Sequence, residues 1–404
     1  MSNNLTVDQT LPSERRIVAA LWPTLLASAA GLLPFTIFST FLVSIAESVG
    51  EGNAAVGALR GLGGIGAVLA GVALAPLLSR FAPGRVASVA LVLLALATVV
   101  GSFAWLPALA AFCLITGVSN ALLYPALSTA AADRFGSGPA ASRAATLVMT
   151  SQTLASTLGA PLLVIPTSWW GWRGDLIAVA VLALALVPLL LRFDRNTQHA
   201  APDTARIGYL AAFRTLAKVP GARALLLVAF GRAGALMGHL AFLAPLYSER
   251  FGLQPSQFAF VWGLSGGAFF LGHLAAGRLL NLEEADARAR RVMVLCLISA
   301  LGALVGVYLA PNLPLALLAT ALLSASHAVV AAAVVTLLVR RCSTVRGTAL
   351  SLNSAGMSLG LFLGAAVAGA GMGVAGYPGA ATALGALTLL ALLAALSLRP
   401  EPTE

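Results

Sequence analysis

Charge is what this sequence has least of. Only 9% of its 404 residues are Asp, Glu, Lys or Arg, and 59% are hydrophobic, whereas an ordinary soluble domain is about a quarter charged. A chain with mean hydropathy +0.93 has too much apolar surface to hide from water, which excludes a soluble globular domain and places it in the membrane class. Lysine is nearly missing, Lys218 being the only one. The net charge of +10 is carried by arginines in short clusters between apolar runs, with no continuous basic face to track phosphates, so nucleic acid is excluded as a partner. Cysteine is scarce too: Cys113, Cys296 and Cys342 have no CxxC spacing, and two fall within apolar runs, implying neither a disulfide framework nor a metal site. No HExxH, Walker loop, GxSxG or Cys/His cluster is present. The acids lie in loops or at the ends of apolar runs, so a membrane enzyme, a metal and a cofactor are not expected. The polar start, MSNNLTVDQTLPSERR, lacks the basic, apolar and small-residue parts of a removable signal peptide, so the first apolar run is expected to stay in the mature protein.

Long apolar runs are what the sequence does have. A transmembrane helix needs about 20 mostly apolar residues. Twelve stretches qualify, roughly 17–45, 54–78, 86–105, 108–131, 144–166, 175–191, 222–247, 256–280, 292–310, 314–339, 347–370 and 378–397. With the N-terminus inside, 20 of the 24 basic residues fall on cytoplasmic segments and helix ends, and only Arg173 and Arg250 on external loops. The positive-inside rule therefore predicts a multi-pass protein of the cell inner membrane with both termini cytoplasmic. Arg60 and Arg232 are left unexplained by topology.

The longest connection, 192–223, divides the chain in two. At an offset of about 202, Arg60–Gly64 (RGLGG) pairs with Trp262–Gly267 (WGLSGG), and Ala75–Ser79 (APLLS) with Gly277–Asn281 (GRLLN). At 203, Ser142–Thr146 (SRAAT) meets Val345–Ala349 (VRGTA). Three weak pairings in order at nearly constant offset indicate two six-span repeats. The expected organisation is an all-α membrane protein with a six-helix bundle at 1–191, a cytoplasmic linker at 192–221 and a second six-helix bundle at 222–404.

Twelve spans, a 6+6 repeat and a long basic central loop resemble the major facilitator superfamily over nearly the whole chain. Leu158–Leu176 (LGAPLLVIPTSWWGWRGDL) resembles the GxP…GWR stretch of spans 5 and 6 in the drug:proton antiporter and sugar or nucleoside efflux branch. Val345–Gly364 (VRGTALSLNSAGMSLGLFLG) is similar to the start of that branch's span 11. The resemblance implies alternating access to a central cavity, no enzymatic activity and a monomer.

Departures from the branch pattern are as informative. Its loop between spans 2 and 3 reads G-x-L-a-D-R-x-G-R; here Ser79 stands at the acid, ahead of Arg80, and in the second half Gly277 matches while Asn281 holds the acidic position. Ser and Asn cannot make the charge-assisted bond of a carboxylate, so the conformational lock implied by the family should be weaker. Cys113 stands where antiporters carry an arginine in span 4, and no acid lies deep in any span.

Polar groups inside the spans are the candidate substrate site. A charge at mid-bilayer costs at least ~2.5–3.5 kcal/mol on insertion scales, so Arg232, about ten residues into span 7, is a functional candidate. Arg60, nearer the outer end of span 2, is able to snorkel to the interface. His239 is seven residues beyond Arg232 on nearly the same helical face, and His327 is mid-span in helix 10; without buried acids these two are the proton-carrier candidates. His273 reads as structural. Asn120 and Tyr124 share a face of span 4, Tyr124 corresponds to His327 across the repeat, and Gln152 and Asn353 occupy similar depths in spans 5 and 11. Interhelical glue is an equally good account of those amides. Phe35, beside Pro34, offers aromatic wall or packing. Glycines at four-residue spacing in Gly57–Gly71 should let helices approach closely, and Gly159 and Pro161 should permit bending in span 5.

Two transport readings follow. One is proton-coupled efflux of a drug or metabolite through an antiporter. The other is uptake or exchange of an organic anion held by the buried arginines. The motifs favour the first, and the buried arginines without buried acids favour the second.

Overall fold

The computed structural model describes residues 14–73, 81–135, 139–195, 209–280, 285–342 and 346–398. Everything regular in them is helix, and ten helices are long and apolar enough to cross a membrane. Two of the ten contain two spans each. Pro139–Arg195 turns back at Gly171 (φ 69°), and Arg346–Leu396 at Ala375 and Gly376 (φ 62°), positive φ values that glycine adopts without steric cost. Those breaks separate spans 5 and 6 and spans 11 and 12, giving the expected twelve.

Local sequence explains several boundaries. Spans 3, 4 and 10 start at Pro83–Gly101, Leu106–Asp133 and Leu313–Arg341 with proline in the first two positions, where the missing N–H is harmless. Asn312 caps span 10, its side chain accepting from the Leu315 amide at 3.1 Å. Gly252 ends span 7 (Ala222–Phe251) in the left-handed region. A short helix, Tyr209–Lys218, lies within the stretch 192–221 expected as a linker.

Two spans are less regular than their sequence patterns predict. Span 1 is not one helix but Glu14–Thr40 followed by Leu42–Val49. Span 2 is Asn53–Leu59 and Leu62–Ala73, joined by a tightened turn in which Arg60 N bonds Gly57 O (3.3 Å) and Gly61 N bonds Ala58 O (3.0 Å). These are three-residue rather than four-residue backbone bonds, the signature of a local 3₁₀ pinch. The bend expected at Gly159 and Pro161 is absent as a break: the backbone stays helical through both, and the span's interruption is at Gly171. A Cβ on Gly159 would meet Leu33 and Thr36 at ordinary van der Waals distance, and one on Gly263 of span 8 (Pro255–Leu280) would reach Pro161 at 3.4 Å.

Four apolar clusters organise the bundle. Two lie toward the end that carries the termini: Ile17 through Leu190 for spans 1–6, and Leu216 through Leu398 for spans 7–12. Each is built from one half alone. At the opposite, distal end the first half has a cluster of its own, Ile37 through Val179, while the second half's, centred on Phe242, Tyr247, Phe258 and Trp262, also takes in Ala160, Phe35 and Val164 of the first half. The halves are thus fused at the distal end and packed separately at the terminal end. Exposed leucines, valines and phenylalanines such as Leu69, Val92, Leu162, Phe260, Leu271 and Leu318 clothe the outside, as lipid contact requires.

Glycine sets how closely spans approach at the crossings. A Cβ on Gly64 would overlap the carbonyl oxygen of Ser358 in span 11, and one on Gly117 would overlap that of Gly63. The small-residue stretch Gly57–Gly71 therefore does what its spacing predicts: it brings span 2 backbone to backbone with spans 4 and 11.

Candidate functional site

The pinch in span 2 puts Arg60 on the seam between the halves. Its guanidinium carbon lies 3.3 Å from the centroid of the Phe35 ring and 6.0 Å from that of Trp262, and those two rings are themselves 5.9 Å apart. Phe35 belongs to span 1 and Trp262 to span 8. Only 4% of Arg60 is exposed, and Nε, Nη1 and Nη2 are all buried without a hydrogen-bond partner among the described residues. Of the two readings open for Arg60, substrate binding and snorkelling, the burial rules out the second: its side chain is drawn onto Phe35 in the protein interior instead of reaching an interface. A desolvated cation–π contact is worth about 2 kcal/mol. Stripping water from an ion costs several kcal/mol even after relaxation. Phe35 therefore offsets only part of the cost, and a guanidinium with five free donors is left facing its own plane.

The second basic group gathers in the other half. Arg232 is 2% exposed with its Nε unpartnered, and His239 and His327 are each 1% exposed. Among the described residues neither ring nitrogen of His239 has a partner, nor does Nδ1 of His327. Arg232 and His239 lie close enough to His327 to act on its charge, and Arg232 does the same for His273. His239 also meets Tyr308 edge to face, the centroids 5.8 Å apart. Spans 7 and 10 thus each bury basic or titratable side chains within the second half, Arg232 and His239 on one and His327 on the other. His273 is half tied down by the carbonyl of Phe269 at 3.3 Å and is exposed, in keeping with a structural reading.

The neutral candidates are divided between the halves. Asn120 Oδ1 and Tyr124 Oη are buried and unpartnered, and both press on Gly31 of span 1, where a Cβ would come within 3.1 and 3.0 Å of them. Gln152 and Asn353 behave alike: each donates from its amide to a methionine sulfur one turn away on its own helix, Met149 and Met357, at 3.6 Å. A thioether is a weak acceptor, so these amides are cheaply recruited by a better one. The glue between helices is supplied by hydroxyls instead, Tyr247 with Thr320 and Ser265 with Ser324, both at 2.8 Å. Of the conformational motif, Ser79, Arg80 and Asn281 lie outside the described residues, while Gly277 is helical in span 8.

One acid is buried more deeply than its place at a span end predicts. Asp175 is fully buried, accepting from Trp170 Nε1 at 2.8 Å and from the Thr167 hydroxyl. It braces the turn at Gly171 and so is spoken for. Its signal was the crowding of Trp170, Gly171 and Asp175 around the span 5–6 turn, where a carboxylate can reach back to an indole N–H. At the distal rim, Asn53 donates to Glu249 at 3.2 Å across the seam. Arg250 caps span 9 (Ala285–Leu309) through the carbonyls of Tyr308 and, at 2.9 Å, Ala310. Among the described residues no group of three or more metal-ligating side chains occurs.

Comparison with known proteins agrees with the geometry. The family model described as Major Facilitator Superfamily matches residues 24–283 and 285–404. No curated protein sequence matches significantly. Among solved structures, a bacterial homolog of the human lysosomal transporter Spinster, in an inward-facing, unoccupied conformation, aligns with a TM-score of 0.75 at 17% identity over 97% of this chain and 100% of that one. The nucleoside transporter NupG aligns at 0.68 and 15% identity over 93% and 98% of the two chains. The human organic anion transporter MFSD10 (TETRAN) aligns at 0.60 and 19% identity over 95% and 100%. At these identities the likeness is one of fold.

Proposed function

The chain belongs to the major facilitator superfamily, and on that footing we propose that it carries a small organic anion across the membrane by alternating access. Membership makes it a multi-pass membrane transporter of a solute and not an enzyme. The anion reading rests on one observation: Arg60 and Arg232, in opposite halves, are buried guanidiniums, and Arg60 has no acceptor for any of its nitrogens among the described residues. A structural arginine braces carbonyls, as Arg250 does. Arg60 braces none, and a permanently charged fork is a natural match for a carboxylate or phosphate. Arg232, His239 and His327 would hold the anion's other end or a second acceptor, with Asn120, Tyr124, Gln152 and Asn353 supplying neutral hydrogen bonds. The positive-inside pattern supports an inner-membrane orientation in which the terminal end faces the cytoplasm.

Proton-coupled efflux stays as the second reading because His239 and His327 are buried beside Arg232 with unpartnered ring nitrogens. Reconstituted protein tests both. Flux of carboxylates, amines and neutral amides of similar size is compared with and without an imposed pH gradient, for the native protein, Arg232→Ala and His239→Ala. The anion reading expects carboxylate flux lowered at least tenfold by Arg232→Ala. Preference for amines would sink it. A gradient-driven flux that His239→Ala abolishes would select the second reading.

A further inference from the structure

The distal seam closes over Arg60, and that has a consequence for how the carrier turns over. Every alternating-access cycle must part the halves at this seam, because the distal cluster joins Phe35, Ala160 and Val164 of one half to Trp262 and Phe242 of the other. Parting it lifts Trp262 away from Arg60 and lets water reach the guanidinium. Closing it strips that water off again. The surface that closes down is Trp262, Phe242 and Phe362: Phe242 fills the space at Gly57, and Phe362 presses on Gly61 and Gly64. None of these side chains accepts a hydrogen bond. No described side chain bonds the Arg60 guanidinium, so it has no counter-ion among the described residues. The ring of Phe35 covers one face of the guanidinium and Trp262 stands off it, so what remains for a ligand is the edge, where Nε, Nη1 and Nη2 are free. An edge of paired N–H groups beside aromatic walls fits a planar carboxylate on an apolar or aromatic body.

Resting on the anion reading, we propose that an aromatic carboxylate binds edge-on to Arg60 and supplies the charge over which the distal gate closes, so that the protein is an obligate anion exchanger. Without the anion, closure buries a lone cation against aromatic rings. With it, closure buries a neutral pair. The carrier therefore returns loaded in both directions, and net one-way flux is suppressed.

Benzoate is the probe, with benzamide and benzylamine as neutral and cationic controls of the same shape. In proteoliposomes, uptake of labelled benzoate should be at least tenfold faster when unlabelled benzoate is trapped inside than when it is absent. Gate closure is read separately by cross-linking Asn53→Cys to Glu249→Cys with the native cysteines replaced; benzoate, and neither control, should accelerate it. Arg60→Gln should lose benzoate binding in titration calorimetry and cross-link quickly with or without benzoate, while Arg60→Lys keeps part of the benzoate response. Net flux as fast as exchange, with benzoate still bound, overturns the exchanger and leaves the anion reading standing. Failure of benzoate to bind or to speed cross-linking overturns the gate proposal; the anion reading falls with it only if reconstituted protein also fails to prefer carboxylates over amines. The comparison of exchange with net flux uses the native chain, so it stands even if Arg60→Gln does not fold.

Discussion

Gly64 and Gly71 lie seven residues apart on the same helix and ask for opposite outcomes from the same methyl group. Alanine at Gly64 would drive its Cβ into the Ser358 carbonyl, backbone that cannot step aside, whereas at Gly71 no atom of the described residues lies within 4 Å. Gly64→Ala should cut transport at least tenfold at normal expression by holding the distal seam apart, and slow the cross-link between positions 53 and 249. Gly71→Ala should leave both unchanged. Asp175 gives a prediction about stability instead. Asparagine there keeps the shape but gives up a charged acceptor for Trp170 and Thr167, at a cost of about 1–3 kcal/mol. Its melting temperature in detergent should fall measurably while the relative rates for different solutes stay as in the native protein; a change in solute preference would place Asp175 in the transport path after all.

The elements with broken geometry are the ones that meet across the seam. Span 2 pinches at Arg60, and span 1 is interrupted at Phe41 with its four-residue backbone bonds kept, on the distal half of each, while spans 3, 4, 9 and 10 run unbroken. A 3₁₀ pinch weakens the backbone ladder where it occurs and turns the next side chain off the regular helical course. That is how a residue about two turns in from the end of span 2 comes to lie over Phe35 in span 1. Replacing Gly61, where a Cβ would come within 2.7 Å of the Phe362 carbonyl, by alanine should shift the pinch and weaken benzoate binding several-fold. Titration calorimetry checks this, and unaltered affinity would detach the pinch from the site. Span 5 carries Gly159 and Pro161 yet keeps its helix, because the neighbouring spans hold it: Leu33 and Thr36 of span 1 on one side, Gly263 of span 8 on the other.

At the scale of the whole molecule the asymmetry between ends defines the state. The distal apolar cluster spans both halves, and the two terminal-end clusters do not. The polar latch from Asn53 to Glu249 adds little, being an exposed hydrogen bond of about 1 kcal/mol at most. Glu249→Gln should change flux less than about threefold. Phe242→Ala, which empties the space against Gly57, should open the distal end and raise the reactivity of a cysteine placed at Ala58 toward a reagent added from outside. Equal reactivity in Phe242→Ala and the native gate would mean that the latch, not the aromatic plug, holds it.

The sequence by itself determined twelve spans, two repeats and the charge asymmetry of the loops, because hydrophobic length and the placement of arginine are one-dimensional properties that lipid and topology read directly. It also picked out Arg232, His239 and His327, since a polar group in an apolar run stands out without coordinates. Its snorkelling alternative for Arg60 fails because distance along a helix measures depth only if the helix is regular, and the pinch that redirects the side chain comes from packing against spans 1, 8 and 11. Asp175 was visible as an acid at a span end, yet its burial depends on Trp170 and Thr167 folding back over it. Which end of the bundle is closed, and that Arg60 lies unpaired beneath that closure, was decided only by tertiary structure, because both are contacts between halves about 200 residues apart.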